Sequence, residues 1–161
     1  MKKFMKEYGS YIIIIIVIML IRTFIATPIK VNGSSMDKTL SHGEIMILDK
    51  ISSFKRESIV VINKKLDGSY IIKRIIALPG EKISCINGEI FINGKKYNDK
   101  YAYSKTNDFD EVILGKDEYF VLGDNRAVSK DSRYLGPINK KYIDGVAKIV
   151  LYPPSKLGIV K

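Results

Sequence analysis

The chain has 161 residues, 27 lysines and arginines against 17 aspartates and glutamates, and a formal net charge of +10. That length suits one domain of ordinary size, and a single cysteine excludes an internal disulfide. The basic side chains are scattered among acids and strand-like stretches, with no arginine-rich run or reading helix. The balance therefore favours an anionic lipid surface over nucleic acid as partner.

Residues 1–7 carry Lys2, Lys3 and Lys6 and read as a short cytoplasmic N-terminus. Tyr11 to Ile21 is an uninterrupted apolar run, short of the roughly twenty residues a bilayer needs. Extending it over residues 8–29 reaches that length, with Arg22 near the far end, where it can snorkel to the headgroups. A cleaved signal peptide is the rival reading. Ala26-Thr27-Pro28 places a proline beside the scissile bond, which favours an uncleaved anchor helix that Pro28 ends. Residues 30–161 then form the extracytoplasmic domain.

Val31-Asn32-Gly33-Ser34-Ser35-Met36-Asp37-Lys38-Thr39-Leu40 follows directly. It offers hydroxyls, a small-residue turn and a lysine. It reads either as a serine-rich loop leaving the anchor or as a loop presenting Ser35 as a nucleophile. A serine needs a base at neutral pH. His42 is the only histidine, which also argues against a histidine-based metal centre. As a triad base it would need an orienting carboxylate, such as Glu44. A lysine can serve instead if burial lowers its pKa by several units.

Beyond this loop the chain reads as mostly β. Ile45–Leu48, Ile59–Ile62 and Tyr70–Ile76 are rich in β-branched residues. Asp67-Gly68 marks a turn between the last two, and Asn87-Gly88 and Asn93-Gly94 mark two tight hairpins. Cys85 reads as a small apolar residue in a strand. Residues 98–117 are expected to form a polar, tyrosine-containing surface excursion. Glu118–Leu122 and Val146–Leu151 read as late strands, and residues 139–143 as one helical turn.

Among the lysines, Lys73 is the one embedded in isoleucines. It is either desolvated within a covered strand or directed outward from an edge, where lysine blocks aggregation. Arg74 beside it needs an acid if it too is covered. Lys38 competes, because Ser35-Met36-Asp37-Lys38 matches a Ser-x-x-Lys pattern. Its companion elements Ser-Asp-Asn and Lys-Thr-Gly are absent. A third polar element runs from Gly123 to Gly136. In it Ser129 can hold a neutral lysine amine, and Asp131 can pair with Arg133 or meet Arg74.

Three separated motifs together resemble the type I signal peptidases of the compact Gram-positive kind. Gly33-x-Ser35-Met36-x-x-Thr39-Leu40 resembles the nucleophile box after the anchor. Tyr70 to Glu81 resembles the lysine box. Gly123-Asp124-Asn125-Arg126 with Ser129, Asp131, Ser132, Arg133 and Gly136 resembles the third box. The resemblance implies an antiparallel, barrel-like β domain and a Ser/Lys protease that removes signal peptides from exported preproteins at a phospholipid membrane. It implies Ser35 as nucleophile, Lys73 as general base and Ser129 as the residue positioning the amine. Asp131, Arg133 and Arg74 would support them, and the Ser35 backbone N–H would serve the oxyanion hole. Some relatives carry a serine where this chain has Gly33, so the second oxyanion donor is water or absent. The family's usual proline is replaced by Lys38. No cofactor, metal or nucleic acid is implied, and a monomer is expected. A weakly active accessory member, a self-cleaving repressor-like protein and a penicillin-binding module are the alternatives.

Overall fold

The computed structural model describes residues 2–160, with side chains from Glu7 onward. Helix α1 (Lys2–Leu20) continues into a π-helical turn, Ile21–Ile25. Glu7–Ile25, 19 residues with no side chain buried against the rest of the protein, is long and apolar enough to cross a membrane. The helix stops at Ile25, four residues before the boundary expected at residue 29. Residues 26–30 instead form a strand that holds Pro28 opposite Ile47. This strand lies at the edge of its sheet. An edge tolerates a residue without an N–H, so Pro28 ends helical geometry without preventing strand pairing.

Among the described residues, twelve strands follow in chain order. The first three are β1 (Ala26–Lys30), β2 (Ile45–Asp49) and β3 (Ile59–Ile62). Next come β4 (Ile71–Ala77), β5 (Lys82–Ile86), β6 (Glu89–Ile92) and β7 (Lys95–Lys96). Then come β8 (Phe109–Ile113), β9 (Glu118–Leu122), β10 (Ile138–Asn139), β11 (Ile143–Tyr152) and β12 (Gly158–Ile159). One antiparallel sheet has the order β1-β2-β11-β3-β4-β9-β10, with β12 on β11; a second has the order β7-β6-β5-β8. β11 is shared, pairing with β3 through its first half and with β2 through its second, with bulges where the register shifts. Such bulges bend and twist a strand, and here they let one sheet curl around its core. A short helix, α2 (Ser132–Leu135), follows β9.

The expected strands at 45–48, 59–62, 70–76, 118–122 and 146–151 are present within a residue or a few, as is the pair of hairpins around Gly88 and Gly94. The helical turn expected at 139–143 is a 3-10 turn, Lys140–Tyr142. β8 lies inside the stretch expected to be an irregular excursion. Phe109-Asp110-Glu111-Val112-Ile113 alternates poorly and stays half exposed, so its pairing with β5, not its own pattern, makes it a strand.

β4 decides the site. It lies between β3 and β9, and all seven of its residues are buried. Ile72 packs with Met36, Leu40, Met46 and Leu48. Ile71 and Ile75 pack with Val60, Tyr119 and Val121. Ile76 packs with Ile83, Phe120 and Leu122, against the second sheet. A charged side chain on such a strand has no edge from which to reach water, which settles the two readings of Lys73 in favour of desolvation.

Candidate active site

The loop carrying Ser35 is held by its apolar residues. Val31, Met36 and Leu40 are buried in the cluster that contains Ile72. Leu40 and Thr39 donate their N–H groups back to the Met36 carbonyl at 2.8 and 3.1 Å, closing a turn. From the opposite side, Asn125 N–H donates to the Ser35 carbonyl at 3.0 Å, and Asn125 Nδ2 donates to the Ser34 carbonyl at 3.2 Å. Ser35 is thus clamped between the core and the loop after β9.

Lys73 Nζ lies 2.7 Å from Ser35 Oγ and also donates to the Ile72 carbonyl at 2.8 Å. Only 3% of Lys73 is exposed. Burial lowers its pKa from 10.5 to about 8; the negative charges of Asp131 and Asp124 oppose the shift, and the positive charge of Arg133 adds to it. An amine with that pKa is neutral in a useful fraction near neutral pH and can take a hydroxyl proton.

Gly123 brings the third element in. A Cβ there would fall 2.3 Å from Ser129 Oγ and 2.6 Å from the Ser35 carbonyl oxygen. Only a residue without a side chain lets those two groups approach from either side. Ser129 is buried beside Ser35, and its hydroxyl makes no hydrogen bond. The bond to the Lys73 amine implied by the resemblance is therefore not made in this structure, where the amine is engaged by Ser35 and Ile72.

Asp131 is fully buried and receives Arg133 through both carboxylate oxygens, at 2.9 and 3.0 Å, and the Gly123 N–H at 3.0 Å. It also caps α2. Arg74 forks onto Asp124, with Nε to Oδ1 at 2.9 Å and Nη2 to Oδ2 at 2.7 Å. Asp124 supplies the acid that Arg74 requires, while Asp131 pairs with Arg133, the first of its two expected partners. Asp124 also accepts Thr39 Oγ1 at 2.6 Å, so one carboxylate ties the lysine strand to the nucleophile loop. The Arg74 guanidinium lies under the Tyr101 ring at 3.5 Å, and its Nη1 donates to the Glu57 carbonyl at 2.8 Å. Arg126 is buried as well, bound to the Gly123 carbonyl, Thr106 and Asp99. The tyrosine-containing stretch is therefore a cover over buried arginines. Asp124 and Asn125 were visible in the third motif, but only the structure gives them partners.

His42 does not approach the nucleophile as a base. Its Nδ1 accepts the Gly33 N–H at 3.2 Å, which shapes the start of the loop. Lys38 sets its ammonium over the Tyr103 ring, 4.4 Å from its centre. Its φ is +72°, a value proline cannot adopt. Restoring the family's usual residue should therefore harm this chain. Lys38→Pro is expected to destabilise the protein by more than about 1 kcal/mol and slow turnover, whereas Lys38→Gly is neutral or stabilising. Thermal unfolding and substrate cleavage of the two variants check this, and an unimpaired Lys38→Pro would show that the loop does not need this turn.

The family model described as "Signal peptidase, peptidase S26" matches residues 3–152. Signal peptidase I S of Bacillus subtilis (strain 168) is 39% identical, over 97% of this chain and 94% of its own. Signal peptidase I P of Bacillus subtilis subsp. natto is 38% identical, over 94% of this chain and 91% of its own. The crystal structure of a signal peptidase I from Enterococcus faecalis V583 superposes with a TM-score of 0.53 at 30% identity, over 60% of this chain and 97% of that one. The match runs through all three motifs, and the chain belongs to the signal peptidase, peptidase S26, family.

Proposed function

We propose that Ser35 and Lys73 carry out the reaction of this membrane-anchored serine endopeptidase, the removal of N-terminal signal peptides from exported preproteins. The observation that supports it most directly is the 2.7 Å approach of a buried lysine amine to a serine hydroxyl. Neutral Lys73 takes the Ser35 hydroxyl proton as Oγ attacks the scissile carbonyl carbon. The Ser35 backbone N–H stabilises the oxyanion, a contribution of about 3–4 kcal/mol for one good donor. Gly33 offers no hydroxyl there, so a water supplies any second donor. The ammonium of Lys73 then protonates the departing amine, leaving an acyl ester on Ser35. Lys73 next deprotonates a water, which attacks the ester, and the proton returns to Ser35 as the product leaves. Ser129, with its unengaged hydroxyl, orients the amine when the Ser35 hydrogen bond is broken. Asp131 and Arg133 hold the loop that carries Ser129, and Arg74 holds Asp124.

Lys2, Lys3 and Lys6, ahead of the apolar run of α1, keep the N-terminus cytoplasmic, so the β domain lies outside. The substrate's cleavage site lies just beyond its own apolar segment, at the depth where β1 leaves the span and leads to Ser35. An extended substrate adds to the sheet by backbone pairing, and isoleucines of β4 and apolar residues of the 31–40 loop wall shallow pockets for its small side chains.

The test is cleavage of a model preprotein by the full chain in lipid vesicles. Ser35→Ala is expected to abolish cleavage with little change in unfolding temperature, because the Lys73 amine that the hydroxyl meets keeps its bond to the Ile72 carbonyl. Undiminished cleavage by Ser35→Ala would refute the nucleophile assignment.

A further inference from the structure

The end of the apolar helix is closed by a side chain from the catalytic domain. The last carbonyls of a helix have no partner within it, and near a bilayer such groups are costly to leave unpaired. Here the Ile21 carbonyl accepts the Ala26 N–H. The Arg22 carbonyl accepts Thr27 Oγ1 at 2.6 Å and Lys50 Nζ at 3.1 Å, and the Thr23 carbonyl accepts Lys50 Nζ at 2.9 Å. The Ile25 carbonyl accepts the Lys50 N–H at 2.9 Å. Lys50 thus closes three of these four groups, and its charge complements the negative end of the helix dipole.

Two further features fix Lys50 in that role. Asp49, the last residue of β2, accepts the Ile51 and Ser52 N–H groups at 2.8 and 3.1 Å, which locks the turn carrying Lys50. Around the junction, Phe24, Ile25 and Ile51 are exposed apolar side chains, so water is a poor substitute for the ammonium. The junction also has leverage. β1 starts at Ala26, directly after the helix, and its last residue, Lys30, lies only five positions before Ser35. A change of angle at the helix exit is carried along this strand to the nucleophile.

We propose that Lys50 is a positioning residue: it caps the exit of the membrane span and fixes the height and tilt of the β domain above the bilayer. Ser35 then meets a scissile bond that is itself held at a fixed depth. This rests on the reading of α1 as a membrane anchor and of the substrate as a membrane-inserted preprotein.

The experiment compares the full chain with Lys50→Met and Lys50→Arg in vesicles of phosphatidylcholine and phosphatidylglycerol. Two substrates are used: a preprotein inserted in the same vesicles and a soluble peptide of the same cleavage-site sequence. Lys50→Met is expected to lower kcat/KM on the preprotein by about tenfold and on the peptide by less than about twofold, with Lys50→Arg restoring the preprotein rate. Spin labels at Phe24 and Lys64, with buried Cys85 left in place, give a second readout. Their distance distribution should broaden in Lys50→Met and stay narrow in Lys50→Arg. An equal loss on both substrates, or no loss with an unchanged distribution, overturns the proposal. Should the wild type cleave neither substrate, the peptidase reading fails, and the distance distribution alone decides whether Lys50 is the cap.

Discussion

Lys73→Met is expected to cost about a thousandfold or more in kcat while making the protein more stable at neutral pH. The loss follows from the geometry. Ser35 Oγ has Lys73 Nζ at 2.7 Å, and removing a positioned general base typically costs between about a hundredfold and ten thousandfold. The gain follows from the burial that makes the lysine useful. Folding lowers its pKa from 10.5 to about 8, chiefly by desolvation. Between those values the unfolded chain holds a proton that the folded chain has released, so stability rises with pH across that window. Below pH 8 both states are protonated, and the full penalty, about 3 kcal/mol, bears on the folded state. Methionine fills a similar volume without the charge and removes that penalty. The pH dependence of the wild type follows from the same group. The base must be neutral, so kcat/KM rises with pH through about 8 and has no limb near 10.5. Cleavage kinetics across pH and thermal unfolding of the full chain in detergent check both halves. An active Lys73→Met, or a basic limb at the ordinary lysine value, would remove Lys73 from the mechanism. Lys38→Ala is the control, since the other lysine of the nucleophile loop lies against Tyr103.

The second large effect is expected at a residue that touches neither reacting atom. Asp124→Ala strips the buried Arg74 guanidinium of its bidentate carboxylate, and breaking a buried pair from one side typically costs about 3–5 kcal/mol. The same change releases Thr39 and with it one tether of the nucleophile loop, so activity should fall alongside stability. The double variant Arg74→Met with Asp124→Leu leaves neither charge of this pair unpartnered and should recover much of the stability. It should not recover the activity, because Thr39 stays untethered. Unfolding midpoints of the two variants in detergent give the comparison. A midpoint for Asp124→Ala within about 1 kcal/mol of wild type would mean that Arg74 finds compensation elsewhere.

The two effects share one cause. β4 presents a lysine and an arginine side by side in a strand with no exposed edge, and the protein treats them in opposite ways. Arg74 stays charged, because guanidinium does not deprotonate and its fork fits a carboxylate in two places. Among the described residues Lys73 has no carboxylate at hydrogen-bond distance; its amine meets the Ser35 hydroxyl and the Ile72 carbonyl. Burial can therefore act on its pKa. The nearby Asp131 and Asp124 are neutralised by Arg133 and Arg74, which limits how far they raise it again. The arginines thus favour the neutral amine that the proposed role of Lys73 requires.

The sequence by itself determined the strands with regular apolar content, the hairpins, the apolar helix and the three motifs. It did so because each is local. β-branched runs, Asn-Gly turns and a membrane-length apolar stretch carry their own preference wherever they occur. Ser35 and Lys73 stood out locally only as candidates, one after a small-residue turn and the other among isoleucines, and the resemblance across three motifs singled them out. The strand content of Phe109–Ile113, the edge strand through Pro28 and the partners of each charge were decided only by the tertiary structure. A five-residue segment with two acids becomes a strand only because β5 offers it a ladder. Whether Lys73 was covered depended on β3 and β9 flanking β4, which no window of sequence contains. The pairing of Arg74 with Asp124, 50 positions away, depended on which acid the fold brought within reach. Asp131 was the acid the sequence offered Arg74, and in the fold Arg133, two residues away, holds it. Periodicity and turn chemistry act between neighbours in the chain, whereas desolvation and charge pairing act between neighbours in space, and the chemistry proposed for Ser35 and Lys73 rests on the second kind.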